Sequence, residues 1–212
     1  MTTNRTDWRA ALVAIVLVAF SGTTAYAKMN ANGAETTMDQ HEMATFAGGC
    51  FWCMQPPFDA VPGVMSTTVG YTGGTKLNPT YEEVCGGQTG HAESIQVVFD
   101  PRQVSYTQVL DVFWRNIDPT TLNRQFADAG TQYRTAIFYH SEEQKHLAIA
   151  SKERLNRSGT FGKPIVTDIT PASTFYPAEE YHQAYYKKNP IRYKLYRIGS
   201  GRDGYLRKTW EK

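Results

Sequence analysis

The chain has 212 residues, with 22 Lys and Arg against 20 Asp and Glu and a net charge of +2. That length suits one well-cored domain rather than two, and the near balance of charge, spread along the chain, excludes the electrostatic footprint of a nucleic-acid or anionic-membrane binder. Its three cysteines, Cys50, Cys53 and Cys85, cannot form a complete intramolecular disulfide framework, because at least one thiol is left over.

Arg5 and Arg9 precede an unbroken apolar run over residues 10–20, and Ala25-Tyr26-Ala27 offers an A-x-A cleavage site. This is the pattern of a secretory signal peptide over residues 1–27; the run is shorter than the roughly 18–20 apolar residues that span a bilayer. The mature protein is therefore expected to be periplasmic or secreted, free of the membrane once the signal is cleaved, in a compartment that favours disulfides. Residues 28–43 are polar and aperiodic and read as a flexible linker.

Residues 44–47, 64–71 and 94–99 read as strands, the last with Ile95, Val97 and Phe99 on one face. Ser105 with Gln108 makes a capping box, with Val104 and Val109 at staple spacing, for a helix running to about Asn116. Residues 135–139 form a further strand, Ser141 with Gln144 repeats the capping box for a helix ending near Arg157, and residues 165–169 form another strand. Pro177 stands at the first turn of a last helix that closes before Asn189-Pro190. A catalytic domain over residues 44–200 and a basic, aromatic tail over 201–212 follow, with residues 191–212 wrapping the surface. The expected fold is α+β, a single-domain two-layer α/β sandwich with a mixed sheet and a ferredoxin-like core.

The stretch Gly48-Gly49-Cys50-Phe51-Trp52-Cys53 sets two thiols around a pair of aromatics. Three readings of C-x-x-C compete: zinc ligands, a thioredoxin-like redox pair, and a nucleophile with its resolving thiol. Zinc needs a second pair of ligands, and Cys85 with His91 does not match the usual spacing. Phe51-Trp52 is an odd filling for a thioredoxin-like pair, whereas two rings beside a nucleophile make an apolar pocket for a methyl-bearing, thioether-like group. A thiol at a helix N-terminus gains thiolate character, but Pro56 and Pro57 lack N–H groups, so the regular helix is expected to start only at Pro56. The polar stretch from Asn78 to Glu93 reads as a long loop entering a strand, with Glu93 placed where partial burial would raise its pKa and suit it to general acid work.

GCFWC, VGYTGG, NPTYEEVC, TGHAES, GTQYR and YPAEEYHQAYYKKNP, in this order, resemble the A type of peptide methionine sulfoxide reductase, from about Ala44 to Asn189. The resemblance implies that Cys50 attacks a sulfoxide sulfur, Phe51 and Trp52 line the pocket for the methyl, and Glu93 protonates the oxygen. It further implies that Tyr81 and Tyr133 hydrogen-bond that oxygen, with Asp128 and His182 on the substrate side. The S epimer would be taken, free or in proteins, without a cofactor or metal, by a monomer that a thioredoxin-like or dithiol reductant recycles. Many relatives carry resolving cysteines near the C-terminus, and residues 191–212 hold none. The resolving role falls on Cys53, on Cys85 or on an external thiol, and between the two cysteines Cys53 is favoured by the short loop it must close. A general disulfide oxidoreductase using Cys50 and Cys53, and a non-enzymatic metal-binding module, are the alternative classes.

The export reading is tested in the native host: mass spectrometry of the mature protein is expected to find Lys28 at the N-terminus, and intact chain recovered from the cytosol would refute it.

Overall fold

Strand β1 (Glu42–Gly48) is withdrawn from solvent on both faces from Ala44 onward, so the sheet is assembled around it. The computed structural model describes residues 41–211; the segment read as a signal peptide, and the linker up to residue 40, lie outside them. After β1 come α1 (Phe51–Asp59), β2 (Val64–Thr72), α2 (Tyr81–Cys85), β3 (Ala92–Phe99) and α3 (Tyr106–Trp114). The two-residue strands β4 (Arg124–Gln125) and β5 (Asp128–Ala129), a 3₁₀ turn (Thr131–Tyr133), β6 (Thr135–Tyr139) and α4 (Glu142–Arg157) follow. The chain ends in β7 (Asp168–Pro171), β8 (Tyr176–Pro177), α5 (Tyr185–Lys188), α6 (Pro190–Gly199) and α7 (Arg202–Trp210).

The main sheet runs in the order β7-β6-β1-β3-β2-β8. β1 is antiparallel to both β3 and β6, β2 is antiparallel to β3 and β8, and only β6 and β7 are parallel. Without the outer β7 and β8, the order β6-β1-β3-β2 with α1 and α3 as crossovers is the split βαβ arrangement of ferredoxin-like folds. Phe46 lies in register with Ile95 and Ile137 and stacks on Phe58 of α1 and Phe113 of α3, at ring-centroid distances of 5.5 and 4.9 Å. Burying one such ring stabilises by about 1.5–3 kcal/mol, so this cluster fixes both helices on the same face.

Local chemistry decides several boundaries. Ser105 and Gln108 complete their reciprocal cap. Ser141 does accept from Gln144 N–H, but the Gln144 side chain accepts from His140 N–H instead of Ser141 and donates to Met43 O, clamping α4 to β1. The expected loop after Asn78 contains α2, opened by a full Thr80–Glu83 capping box. The strand expected at 165–169 forms at Asp168–Pro171, because Ile165 and Val166 spend their N–H groups on Asn156 Oδ1 and Pro119 O.

Helix α1 begins at Phe51 with Cys50 as its N-cap residue, not at Pro56; both prolines lie inside it. Pro57 has no N–H to give Cys53 O four residues back, and that carbonyl takes the Arg197 guanidinium at 3.1 Å instead. Pro177 does not open a helix either. It extends edge strand β8 against Gly70, a position where proline's missing donor is harmless, and Gln183 then pairs through its side chain with Val69 N–H and O. Pro190 starts α6 at its first turn rather than ending the fold. The described part of the terminal segment, residues 191–211, thus holds two helices that reach the centre of the molecule through Tyr196, Arg197 and Arg202, and is not a surface wrap or a detached tail.

Gly48 and Gly49 make the turn from β1 into α1. Gly49 has φ +77°, and a Cβ there would sit 2.4 Å from Gln125 Cβ. Gly49→Ala is therefore expected to destabilise the protein by about 1–3 kcal/mol through strain and overpacking, measured by urea unfolding, while Gly162→Ala, with nothing within 4 Å, stays within about 0.5 kcal/mol.

Candidate active site

The turn after β1 delivers Cys50 to the N-terminus of α1, where the first helical N–H, that of Phe51, donates to Glu93 Oε2 at 3.0 Å. Glu93 sits inside β3 opposite Tyr71 on β2, so its position is set by sheet register. It is only 2% exposed. Burial, with the nearby Asp128 and Cys53 charges, outweighs the Phe51 hydrogen bond and pushes its pKa up to about 8. Near pH 7 it is mostly a neutral acid. The oxygen accepting from Phe51 is the carbonyl-like one, which leaves the proton on the other oxygen.

Cys50 and Cys53 are both free thiols, 6% and 1% exposed, and share a hydrogen bond. Burial, that bond and the Glu93 charge push the Cys50 thiol up, while the Tyr196 hydroxyl, also hydrogen-bonded to it, works the other way. Cys53 moves in the opposite sense, to about 7: the Cys50 hydrogen bond and the Arg202 and Arg197 charges overcome its burial. The pair is therefore unequal: Cys50 is held toward its neutral form, and Cys53 is the more readily ionised of the two thiols.

Aromatic groups build one wall. Trp52 stacks on Tyr185 at 3.8 Å and meets Tyr196 edge-on at 5.9 Å. Its indole N–H donates to His182 Nδ1 at 2.9 Å, so the neutral imidazole carries its proton on Nε2, 4.0 Å from Glu179 Oε2. Burial holds the His182 pKa down. His182 lies against Phe51, Tyr81 and Tyr181 as well, and so acts by orienting Trp52. Glu179 accepts from Tyr71 Oη at 2.8 Å and from Tyr81 N–H at 2.9 Å, pinning α2 to the core.

Tyr81 and Cys85, four residues apart, share one face of α2. The hydroxyls of Tyr81 and Tyr133 both hydrogen-bond the Cys85 thiol; burial keeps both phenols protonated, helped next by the Cys85 hydrogen bond at Tyr81 and by the Glu93 charge at Tyr133. Asp128, presented by the β4–β5 hairpin, accepts from Tyr196 Oη at 2.5 Å. Every residue singled out in the sequence, Cys50, Phe51, Trp52, Cys53, Tyr81, Cys85, Glu93, Asp128, Tyr133 and His182, thus belongs to one connected cluster. Sequence reasoning missed Tyr196, Arg197, Arg202, Gln125 and Glu179. Glu179 stands in the quoted YPAEEYHQ motif, but nothing marks a lone Tyr or Arg of a basic terminal segment as buried.

A hydrogen-bonded thiol pair, a neutral buried carboxylic acid and an aromatic wall can together attack a polar, oxygen-bearing sulfur and protonate what leaves. A family model described as peptide methionine sulfoxide reductase matches residues 42–212. The peptide methionine sulfoxide reductase MsrA of Bacillus licheniformis is 56% identical over 172 residues, covering 81% of this chain and 95% of that protein. The structure of reduced Mxr1 from Saccharomyces cerevisiae matches with a TM-score of 0.68 at 36% identity, over 71% of this chain and 87% of that one. The same yeast protein in complex with Trx2 gives 0.50 at 26% identity, over 69% and 85%. The chain belongs to the peptide methionine sulfoxide reductase family, and it is a peptide-methionine (S)-S-oxide reductase.

Proposed function

We propose that this reductase works through a sulfenic acid on Cys50, resolved by Cys53 and recycled by a thioredoxin-like dithiol partner. The observation that carries this reading is the neutral Glu93 carboxyl held beside the Cys50–Cys53 thiol pair. A sulfoxide oxygen leaves poorly as a bare anion, so an acid must protonate it as sulfur attacks.

In the first step Cys50 passes its proton to the Cys53 thiolate and attacks the sulfoxide sulfur. Glu93 protonates the oxygen, with the Tyr81 and Tyr133 hydroxyls released from Cys85 to hold it. Phe51 and Trp52 pack on the methyl. The protonated oxygen then passes from the substrate sulfur to Cys50 as the transient bond between the two sulfurs breaks, so that the sulfoxide is reduced to methionine and Cys50 is oxidised to Cys50–SOH. Cys53 gives its proton to the Glu93 carboxylate and attacks the Cys50 sulfur: the S–S bond forms, the S–O bond breaks, and the hydroxyl takes that proton from Glu93 and leaves as water. Two thiols and one sulfoxide thereby become one disulfide, one methionine and one water. The external dithiol then restores both thiols by exchange.

Mxr1 has been captured with Trx2, which supports a thioredoxin-type reductant here. Export through the N-terminal segment makes oxidised methionines of envelope or secreted proteins the natural substrates, with a monomer as the working form.

Glu93 is protonated below about pH 8 and loses its proton above it, so the rate of methionine release in a single turnover should fall as pH rises through that value. Glu93→Gln is expected to slow that step about 10²-fold or more and to abolish the alkaline fall, read by rapid quench. An unchanged rate would remove Glu93 from the chemistry.

Cys85 touches the two phenols that would hold the oxygen, which is the one observation favouring it as resolver, against the direct Cys50–Cys53 hydrogen bond. Peptide mapping after one equivalent of substrate is expected to give a Cys50–Cys53 disulfide, with Cys53→Ser unable to turn over with thioredoxin. A Cys50–Cys85 link would reverse the assignment.

A further inference from the structure

Arg202 is 1% exposed, a charged side chain brought from the start of α7 into the middle of the protein. Its Nη2 donates to Gly48 O at 3.0 Å and its Nη1 to Asn116 O at 2.5 Å. Nη1 also lies 3.5 Å from Met54 Sδ, and the guanidinium carbon sits 4.6 Å from the centroid of the Phe126 ring. Nη2 comes within 3.2 Å of where a Gly49 Cβ would stand. The guanidinium thus lies beneath the Cys50–Cys53 turn, touching the chain on both sides of it. Among the described residues no carboxylate pairs with it.

A buried cation without a counter-ion is costly. Carbonyl oxygens and a thioether offset only part of that cost, and Cys53, the residue before the Met54 that Arg202 touches, is a group on which its charge acts, favouring the thiolate. The geometry points to Arg202 as the positioning residue that holds Cys53 as the thiolate which resolves the Cys50 sulfenic acid. This rests on the reading of Cys53 as resolver and adds the reason that Cys53, rather than Cys85, can serve. Burial pushes the Cys85 thiol up, with the Glu93 charge in the same sense, and no arginine acts on it.

The groups facing Cys53 set the field that Arg202 must govern. Cys50 donates from the helix N-terminus; Arg197, whose Nη1 holds Cys53 O at 3.1 Å, and Tyr193 face it from α6; Asp128 on β5 opposes ionisation, and the Cys53 charge in turn helps to keep Glu93 on β3 protonated. Arg197 is paired with Asp203 at 2.6 Å, which spends much of its charge. Arg202 has no carboxylate partner among the described residues, and its charge stands ahead of that of Arg197 in favouring the thiolate.

Full-length mature protein carrying Cys50→Ser and Cys85→Ser isolates the Cys53 titration, followed by thiolate absorbance and by alkylation rate against pH. In that background Arg202→Met, and Arg202→Gln as the uncharged variant that keeps donors for Gly48 O and Asn116 O, are expected to raise the Cys53 midpoint by about one pH unit or more, whereas Arg202→Lys holds it near the parent value. With all three thiols present, the Met and Gln variants should form the disulfide about fivefold or more slowly at pH 7 after one equivalent of sulfoxide, a shortfall recovered at higher pH. Melting temperature falling in all three variants with the Cys53 midpoint unmoved would make Arg202 structural only and overturn the inference; if Arg202→Met does not fold, Arg202→Gln against Arg202→Lys decides it. A Cys50–Cys85 disulfide in the parent protein would instead sink the choice of resolver while leaving the Cys53 titration to report on Arg202 itself.

Discussion

The buried hydrogen bond from Phe51 N–H to Glu93, 3.0 Å long, is the contact on which the rest of the site depends. It joins the first turn of α1 to the interior of β3, so the helix that carries both thiols and the strand that carries the acid share one reference point. Its strength also matters for what it fails to do. A helix N–H favours the carboxylate, yet burial and neighbouring negative groups win, and the acid keeps its proton. A second strong donor at Glu93 would tip that balance and remove the proton the chemistry needs. The site tolerates one hydrogen bond to this carboxyl because one suffices to aim it.

Of the two buried thiols beside Glu93, one is treated as the acid is and the other in the opposite way. Arg202 and Arg197 surround Cys53 and favour its charged form, while Cys50, flanked by Glu93 and Cys53 rather than by an arginine, stays protonated. The site is polarised along α1: cationic near Cys53, acidic near Cys50 and Glu93. Such a gradient gives the Cys50 proton a direction in which to leave. A uniform apolar pocket would raise both thiols together and leave neither able to act.

The core strands and α3 were legible because period-2 alternation in Ile95, Val97 and Phe99 and the Ser105–Gln108 box are local signals that the fold leaves intact. The motif around Cys50 was legible because glycines, thiols and rings of those kinds are rare in that order. What failed were the prolines. Pro177 and Pro190 read equally well as helix starts, strand edges or stops, and only the register of β8 against Gly70 and the N-terminal place of Pro190 in α6 decide between them. Pro56 and Pro57 look like helix breakers, but a helix already capped by tertiary contacts survives losing two internal donors. Thr80 and Glu83 did carry a capping signal for α2, hidden by the turn-forming residues around it. Arg202 carried none, since a buried arginine and a surface one are the same letter.

The C-terminal helices join the site through polar contacts. Helix α6 buries none of its residues fully, so apolar burial contributes little to its placement, and its attachment runs through Tyr196 to Asp128 and Arg197 to Cys53 O. That last acceptor exists because Pro57 cannot use it. One residue thus weakens α1 internally and supplies the hook by which α6 is seated beside the thiol that Arg197 and Arg202 charge. An alanine at position 57 would let α1 satisfy its own carbonyl and compete with Arg197 for it. The proline pair that looked like an obstacle to a helix at the thiols is, in the folded protein, part of what brings the cations to Cys53.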